Sequence, residues 1–137
     1  MDANFHISLP CDNIEDTKAF YLDIIGATSG RQAKNWLDVN LFNHQITFTK
    51  AGKFNFNSPN YVFEGKILPA FHFGIIVDVD TWGKIYTKLQ NQNLELVTQA
   101  TFLKDKKGEH LSFFIKDPNG YILEFKSFKD KREMFEI

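Results

Sequence analysis

The dipeptide Phe-His occurs twice in this chain, at Phe5-His6 and Phe71-His72, and the copies lie about half of the 137-residue sequence apart. Each copy opens an apolar, strand-like run that is followed by residues with helical spacing. This repeat indicates an internal duplication. We therefore expect two similar modules, with one histidine at an equivalent position of each.

The first module is predicted to span about residues 4–50. Alternation of polar and apolar residues over 4–9 predicts a strand and places His6 on the face opposite the apolar side chains. Asp12 or Asn13 can cap the following helix, which Gly26 ends. Three short strands complete a βαβββ order, at residues 27–32, 36–42 and 45–50, with a turn at Asn43-His44 between the last two.

The second module is predicted over about residues 71–128 and repeats the βαβββ order. Its first strand covers 71–77, and Asp80 can cap its helix. Further strands are expected at residues 94–103, 110–115 and 121–128. A connection of about residues 51–70 separates the modules, and a tail of about 129–137 follows them. Several aromatic residues in the connection suggest that it covers one end of a cavity or packs beneath a crossover.

Composition limits the possible classes of protein. A chain of 137 residues with 43% hydrophobic residues predicts a single domain, 1–137, with ample core material. The formal net charge of −1, without an extended basic face, argues against a nucleic-acid partner. The single cysteine, Cys11, excludes an internal disulfide, and no apolar signal or spanning segment is visible, so a cytoplasmic protein without a membrane partner is expected.

Three residues suggest a metal centre. His6 and His72 face away from the apolar side of their strands, and Glu124 lies within an otherwise apolar strand. Two imidazoles and one carboxylate form a ligand set that leaves coordination positions open for substrate and for water or oxygen. The sequence therefore predicts a divalent-metal site formed by His6, His72 and Glu124.

Several segments in the same order resemble the vicinal oxygen chelate superfamily, which includes glyoxalase I, bleomycin and fosfomycin resistance proteins and extradiol dioxygenases. They are the strand at 5–10, the helix end at 19–26, the second histidine strand and the run from Asp117 to Glu124. The resemblance implies an α+β fold of two tandem βαβββ modules, forming a half-open barrel with the helices outside. It also implies a divalent metal, with Fe(II) first and Mn(II), Zn(II) or Ni(II) as alternatives.

Aligning the last strands of the modules places Thr47 at the position equivalent to Glu124. Threonine is a poor metal ligand, whereas resemblance to glyoxalase I would imply a fourth ligand, usually a carboxylate, at this place. Gln45 has the same strand parity and could contribute an amide oxygen if the register shifts by two residues. His44 has the opposite parity and is expected at the surface.

The residues also resemble the extradiol dioxygenase pattern, with two departures. Phe114 stands where that pattern has a proton-donating tyrosine, and His110 lies closer to it than usual. His110 is therefore a candidate acid or base, with a surface role as the alternative. Strand parity predicts that the substrate pocket contains Ser8, Asp38, Asn40, Gln45, Thr47, Ser112 and Phe114.

These features favour a small metal-dependent enzyme, most like a dioxygenase in its ligand set, that chelates a small-molecule substrate through adjacent oxygens. The resemblance leaves two alternatives. One is a thiol transferase or isomerase, like the fosfomycin resistance proteins or glyoxalase I, and the other is a metal-free protein that sequesters a small molecule. The resemblance also implies a homodimer.

Overall fold

The computed structural model describes residues 1–54 and 56–136. Asn55, in the predicted connection, and Ile137, at the end of the predicted tail, lie outside the described residues. The chain forms two compact units, one of residues 1–56 and 117–120, the other of residues 57–116 and 121–137. Within the part of the chain that the structure describes, no helix is long and apolar enough to cross a membrane.

Unit 1 contains a four-stranded sheet with the order β1-β4-β3-β2, in which β1 is parallel to β4 and the other pairs are antiparallel. Its strands are β1 (His6–Cys11), β2 (Thr28–Ala33), β3 (Trp36–Leu41) and β4 (His44–Lys50). Between β1 and β2 lie α1 (Ile14–Lys18) and a π-helical segment (Ala19–Ile25) that continues it. The Asn13 side chain caps α1, and Gly26, at φ 90°, ends the helical segment.

Two local predictions in unit 1 were wrong. The strand predicted over residues 4–9 spans His6–Cys11, and it continues past Pro10 because β1 is an edge strand, where a missing N–H is tolerated. The turn between β3 and β4 consists of Phe42 and Asn43, both with positive φ, so His44 is the first residue of β4.

Unit 2 repeats the sheet, with the order β7-β10-β9-β8 and with β7 parallel to β10. Its strands are β7 (Phe73–Ile76), β8 (Thr98–Phe102), β9 (His110–Lys116) and β10 (Ile122–Phe128). The helix α2 (Val79–Asn91) follows β7, and a 3-10 helix (Lys131–Phe135) lies in the tail. Asp78 caps α2 by accepting a hydrogen bond from the Thr81 amide, so the cap is Asp78 and the prediction of Asp80 was wrong.

The helix of unit 2 packs on one face of its sheet. The Trp82 indole N–H donates a hydrogen bond to the Phe125 carbonyl at 2.9 Å, and its ring lies edge-on to Phe113. Phe113 and Phe125 stack on each other and are fully buried. Because side chains alternate along a strand, this leaves the even-numbered residues of β9 and β10 on the opposite face.

The segment predicted as a connection contains a hairpin of β5 (Asn60–Phe63) and β6 (Lys66–Pro69). Glu64 and Gly65 form its turn, both with positive φ. Leu68 of β6 is buried with Phe102, Phe114 and Ile122, and Phe63 packs against this cluster. The hairpin therefore covers part of the even-numbered face of the unit 2 sheet.

The two modules share one fold and one register. Ser8 pairs with Thr47 in unit 1, and Gly74 pairs with Glu124 in unit 2, each two residues after the repeated histidine. This register agrees with the alignment of Thr47 with Glu124 made from the sequence. The predicted α+β architecture of two similar modules is confirmed.

Candidate functional site

In unit 1 the polar face of the sheet centres on Asp38, which is only 2% exposed. Its Oδ1 accepts a hydrogen bond from the Thr47 hydroxyl at 2.6 Å, and its Oδ2 accepts from Gln45 Nε2 at 3.1 Å and Arg31 Nε at 2.9 Å. Burial alone would raise the pKa of Asp38, but the hydrogen bonds from Thr47 and Arg31 and the charge of Arg31 hold it below its ordinary value. Asp38 is therefore an ionised carboxylate with both oxygens engaged.

His6 is the first residue of β1, exposed at the edge of the sheet, and pairs in register with Gln45. It lines an open cavity of about 400 Å³ whose other residues include Arg31, Asp38, Asn40, His44 and Gln45. Of the residues predicted for the pocket, Gln45 and Thr47 both donate hydrogen bonds to Asp38. Ser8 is exposed beside Thr47.

Asn40 and His44 both have structural roles near the turn that joins β3 and β4. The Asn40 side chain accepts a hydrogen bond from the Asn43 amide at 2.8 Å. His44 Nδ1 accepts one from the Phe5 amide at 3.0 Å, which assigns the ring proton to Nε2. Both residues nevertheless line the unit 1 cavity.

In unit 2 the structure brings His72 and Glu124 together, with Nε2 of the imidazole 3.6 Å from Oε1 of the carboxylate. His72 Nδ1 lies 2.9 Å from the Pro69 carbonyl oxygen, which can only accept, so Nδ1 carries a proton and donates it. In the neutral ring, Nε2 then keeps its lone pair beside the carboxylate. A ring N–H held by a backbone carbonyl is the usual arrangement for a metal-binding histidine.

The sequence predicted that His72 lies in a strand over residues 71–77. This was wrong, because β7 begins at Phe73, directly after His72. The backbone here bonds to the preceding segment, since the Phe71 amide donates to the Ser58 hydroxyl at 2.8 Å. Two residues after His72, Gly74 permits a close approach of β7 to β10, because a Cβ at Gly74 would lie 1.6 Å from the Glu124 carbonyl oxygen. Glycine is thus required beside the Glu124 backbone.

Phe114 lies directly across from Glu124 on the neighbouring strand and is buried in the cluster under the hairpin. The His72 ring meets it edge-on, with ring centroids 5.4 Å apart. Ser112, two residues earlier on the same face, is fully buried, and its hydroxyl has no hydrogen-bond partner among the described residues. This side of Glu124 is therefore an apolar wall.

His110 lies elsewhere on this face. It pairs with Phe128, four residues beyond Glu124 on β10, which corresponds to about 13 Å along a strand. Its ring contacts Phe102 and Phe128, and its Nδ1 lies 2.8 Å from the Gly108 carbonyl oxygen. The structure therefore does not bring His110 to the His72–Glu124 pair.

Sequence analysis missed two cations. Lys126 follows Glu124 by two residues on the same face, and its Nζ lies 3.5 Å from Glu124 Oε1, the oxygen that His72 also approaches. The period of two along a strand could have identified it. The second cation is Arg31, which pairs with Asp38. No sequence pattern predicts this ion pair, because the pair depends on an irregularity in β2.

The donors in unit 2 suit a divalent ion, since His72 presents an imidazole nitrogen and Glu124 a carboxylate. Among residues 1–54 and 56–136, no three His, Cys, Asp or Glu side chains form a ready-made metal-binding group. His6 as the third ligand stays a prediction.

Comparison with known proteins agrees with the fold. The model of the Glyoxalase/Bleomycin resistance protein/Dioxygenase superfamily matches residues 5–125. No curated protein matches the chain in sequence. A glyoxalase/bleomycin resistance protein/dioxygenase from Alicyclobacillus acidocaldarius is 20% identical, with a TM-score of 0.82 over 98% of this chain and 97% of its own.

Two further solved structures carry specific names. The fosfomycin resistance protein FosX from Listeria monocytogenes is 13% identical, with a TM-score of 0.69 over 97% of this chain and 98% of its own. A lactoylglutathione lyase from Agrobacterium tumefaciens is 12% identical, with a TM-score of 0.67 over 100% and 98%. At these identities the likeness concerns the fold alone. Because the family model matches residues 5–125, most of the sequence, the chain belongs to the Glyoxalase/Bleomycin resistance protein/Dioxygenase superfamily.

Proposed function

We propose that this protein is a divalent-metal-dependent enzyme that binds a small substrate through two adjacent oxygen atoms. The observation that carries the proposal is the His72–Glu124 pair, 3.6 Å apart, with the His72 Nδ1–H held by the Pro69 carbonyl. His72 and Glu124 are proposed as two ligands, and His6 is the predicted third. When bound, a divalent ion would polarise the substrate oxygens and fix their orientation.

The chain's own residues prepare this place in three ways. The Pro69 carbonyl fixes the tautomer and direction of the His72 ring. Phe114 and the hairpin cluster exclude water from one side of Glu124, which strengthens electrostatic interactions there. Lys126 balances the charge of the Glu124 carboxylate.

A dioxygenase reaction with Fe(II) is the first class to test, because a two-histidine, one-carboxylate set is typical of non-haem iron oxygenases. A second candidate is a transferase or isomerase that uses Mn(II), Zn(II) or Ni(II). The position of Phe114 favours this second candidate, since a buried phenyl ring opposite Glu124 cannot supply the proton that extradiol cleavage needs. The fold likeness to FosX and to a lactoylglutathione lyase supports it by analogy.

Metal analysis and calorimetry on the purified protein test the proposal. We expect one divalent ion per chain, and a loss of affinity in His72→Ala and Glu124→Gln larger than the roughly 10- to 100-fold that an outer hydrogen-bond partner contributes. His110→Ala is the matched control and should bind metal as the unmodified chain does. Equal metal affinity in all four proteins would contradict the assignment, and no metal binding by any of them would favour the metal-free alternative.

The reaction class needs a separate measurement. Iron-loaded protein in an oxygen electrode, given a panel of catechols, should show little oxygen uptake if Phe114 prevents ring cleavage. Rapid uptake with ring-opened product would instead establish the dioxygenase class and would require another acid in the site.

A further inference from the structure

We propose that the unit 1 cavity binds an anionic group of the substrate and that Arg31 is the residue that holds it. The inference rests on the proposed function, because His6, the predicted third metal ligand, lines the same cavity as Arg31. It extends that function by naming the substrate class, a small molecule with two adjacent oxygens and a carboxylate or similar anion. A cavity of about 400 Å³ is of the right size for such a molecule.

A β-bulge directs Arg31 to this face. The register of β2 against β3 shifts between Ser29 and Gln32, so Gly30 and Arg31 together oppose Asp38. A Cβ at Gly30 would lie 2.9 Å from the Asp38 Cβ, so only glycine lets the strands approach here. Bulges of this kind redirect side chains and are common beside functional sites.

The Arg31 side chain is held by groups that leave its terminal nitrogens available. Only Nε contacts Asp38, and the guanidinium carbon lies 5.5 Å from the centre of the Trp36 ring. Within the described residues, no acceptor contacts the two terminal NH2 groups, and the side chain is 76% exposed. These groups form the planar donor pair that binds a carboxylate or phosphate with two parallel hydrogen bonds.

Asp38 is best explained as a support that orients Arg31. Thr47 occupies Oδ1 and Gln45 shares Oδ2, so the carboxylate keeps a single orientation without a two-pronged contact from arginine. A cation held in this way and pointing at a cavity is prepared for a second anion. His44, whose Nε2 carries the ring proton, adds another donor to the cavity lining.

The charge balance also fits an anionic ligand. Arg31 and Asp38 cancel each other, so they alone would attract an anion only through the oriented N–H groups. A divalent ion at His6 would leave this end of the cavity positive. An anionic substituent beside two chelating oxygens would then be recognised by both the ion and the arginine.

The test uses ligands that differ by one carboxylate. Catechol, 2,3-dihydroxybenzoate and 3,4-dihydroxybenzoate are titrated by calorimetry into Zn(II)-loaded full-length protein, because Zn(II) supports no oxygen chemistry. We expect at least one dihydroxybenzoate to bind about tenfold more tightly than catechol or better, as one charge-assisted bidentate contact would give. Arg31→Met should remove this preference while catechol affinity and metal stoichiometry stay unchanged, and Arg31→Lys should restore part of it.

Arg132→Met is the control, because Arg132 also pairs with an aspartate, Asp130 in the tail, but through Nε and a terminal nitrogen and away from the unit 1 cavity. It should keep the full preference. No preference in the unmodified protein, or the same preference in Arg31→Met, would overturn the inference while leaving metal binding intact.

If the protein binds no metal, the proposed function fails, and the Arg31 subsite is tested on the metal-free chain by NMR. A shift of the Arg31 Nε resonance with a dihydroxybenzoate but not with catechol would then support the subsite, and no shift would overturn it.

Discussion

At the scale of single residues, the two units carry their carboxylates on different strands. Asp38 of unit 1 lies on β3, whereas Glu124 of unit 2 lies on β10, the counterpart of β4. Thr47 is the counterpart of Glu124, and the residue facing Thr47 across the sheet is Asp38, where unit 2 has Phe114 facing Glu124. The duplicated positions have thus diverged in chemistry while keeping their register. Unit 1 has a charged hydrogen-bond network, and unit 2 has a carboxylate beside an apolar wall.

The Asp38 network predicts a pH dependence of stability. Because the pKa of Asp38 is lowered in the fold, its stabilising effect is present above the ordinary aspartate value of about 3.9 and is lost as the pH falls through the lower folded value. Arg31→Met should raise the folded pKa, so this stabilisation is lost at a higher pH. Carboxyl NMR titration of Asp38 in both proteins measures the shift, and an unchanged midpoint would show that Arg31 does not stabilise the ionised form.

Thr47 is predicted to support Asp38 through its hydroxyl. Thr47→Val keeps the shape of the side chain but leaves Oδ1 of a buried carboxylate without its 2.6 Å hydrogen bond. We expect a loss of about 1–3 kcal/mol in the free energy of unfolding, measured by urea denaturation. Thr49→Val, at an exposed position of the same strand, is the control. Equal stability of the two variants would contradict this role.

At the scale of elements, three features of the strands position the candidate residues. The bulge in β2 directs Arg31, and the β5–β6 hairpin covers the face that carries Phe114. The close approach of β7 to β10 at Gly74 brings the segment after His72 against the backbone of Glu124. Each feature lies beside a candidate site residue.

Gly74→Ala is expected to destabilise the pairing of β7 with β10. The new Cβ would meet the Glu124 carbonyl oxygen at 1.6 Å, so the backbone must move, at a cost of about 1–3 kcal/mol or more. The same variant should weaken metal binding, because Glu124 moves with its strand. Gly83→Ala in α2, where an added Cβ meets nothing within 4 Å, should instead be stabilising by about 0.5–1 kcal/mol. Urea denaturation of both variants compares them, and a neutral Gly74→Ala would refute the close approach.

At the scale of the whole molecule, metal binding should stabilise the fold. A ligand that binds only the folded chain adds about 2.7 kcal/mol at a free concentration 100 times its Kd, which raises Tm by several degrees for a chain of this size. Thermal denaturation with each of Fe(II), Mn(II), Zn(II) and Ni(II) measures the effect. Glu124→Gln should lose most of the rise in Tm, and an equal rise in this variant would point to another binding site.

The homodimer is a proposal, and sedimentation velocity of the purified protein would test it by measuring the molecular mass in solution.

Much of this protein was accessible from its sequence. The repeated Phe-His, the alternation of the strands, the candidate cap at Asp12 or Asn13 and the helix end at Gly26 predicted two βαβββ modules, and aligning them paired Thr47 with Glu124 correctly. These signals are local: the period of two assigns a side chain to a face of a strand, and capping depends on a few neighbouring residues. The family followed from the same residues.

Other features were decided only by the tertiary structure. The ion pair of Arg31 with Asp38 depends on a bulge, the distance of His110 from Glu124 depends on strand register, and the cover over Phe114 depends on how a hairpin packs. Each of these depends on which residues of neighbouring strands lie opposite each other, or on how separate elements pack. Periodicity assigns a residue to a face of a strand but carries no information about its neighbours there. Only the folded chain could therefore show that His72 and Glu124 lie together and that other predicted site residues, such as His110, do not.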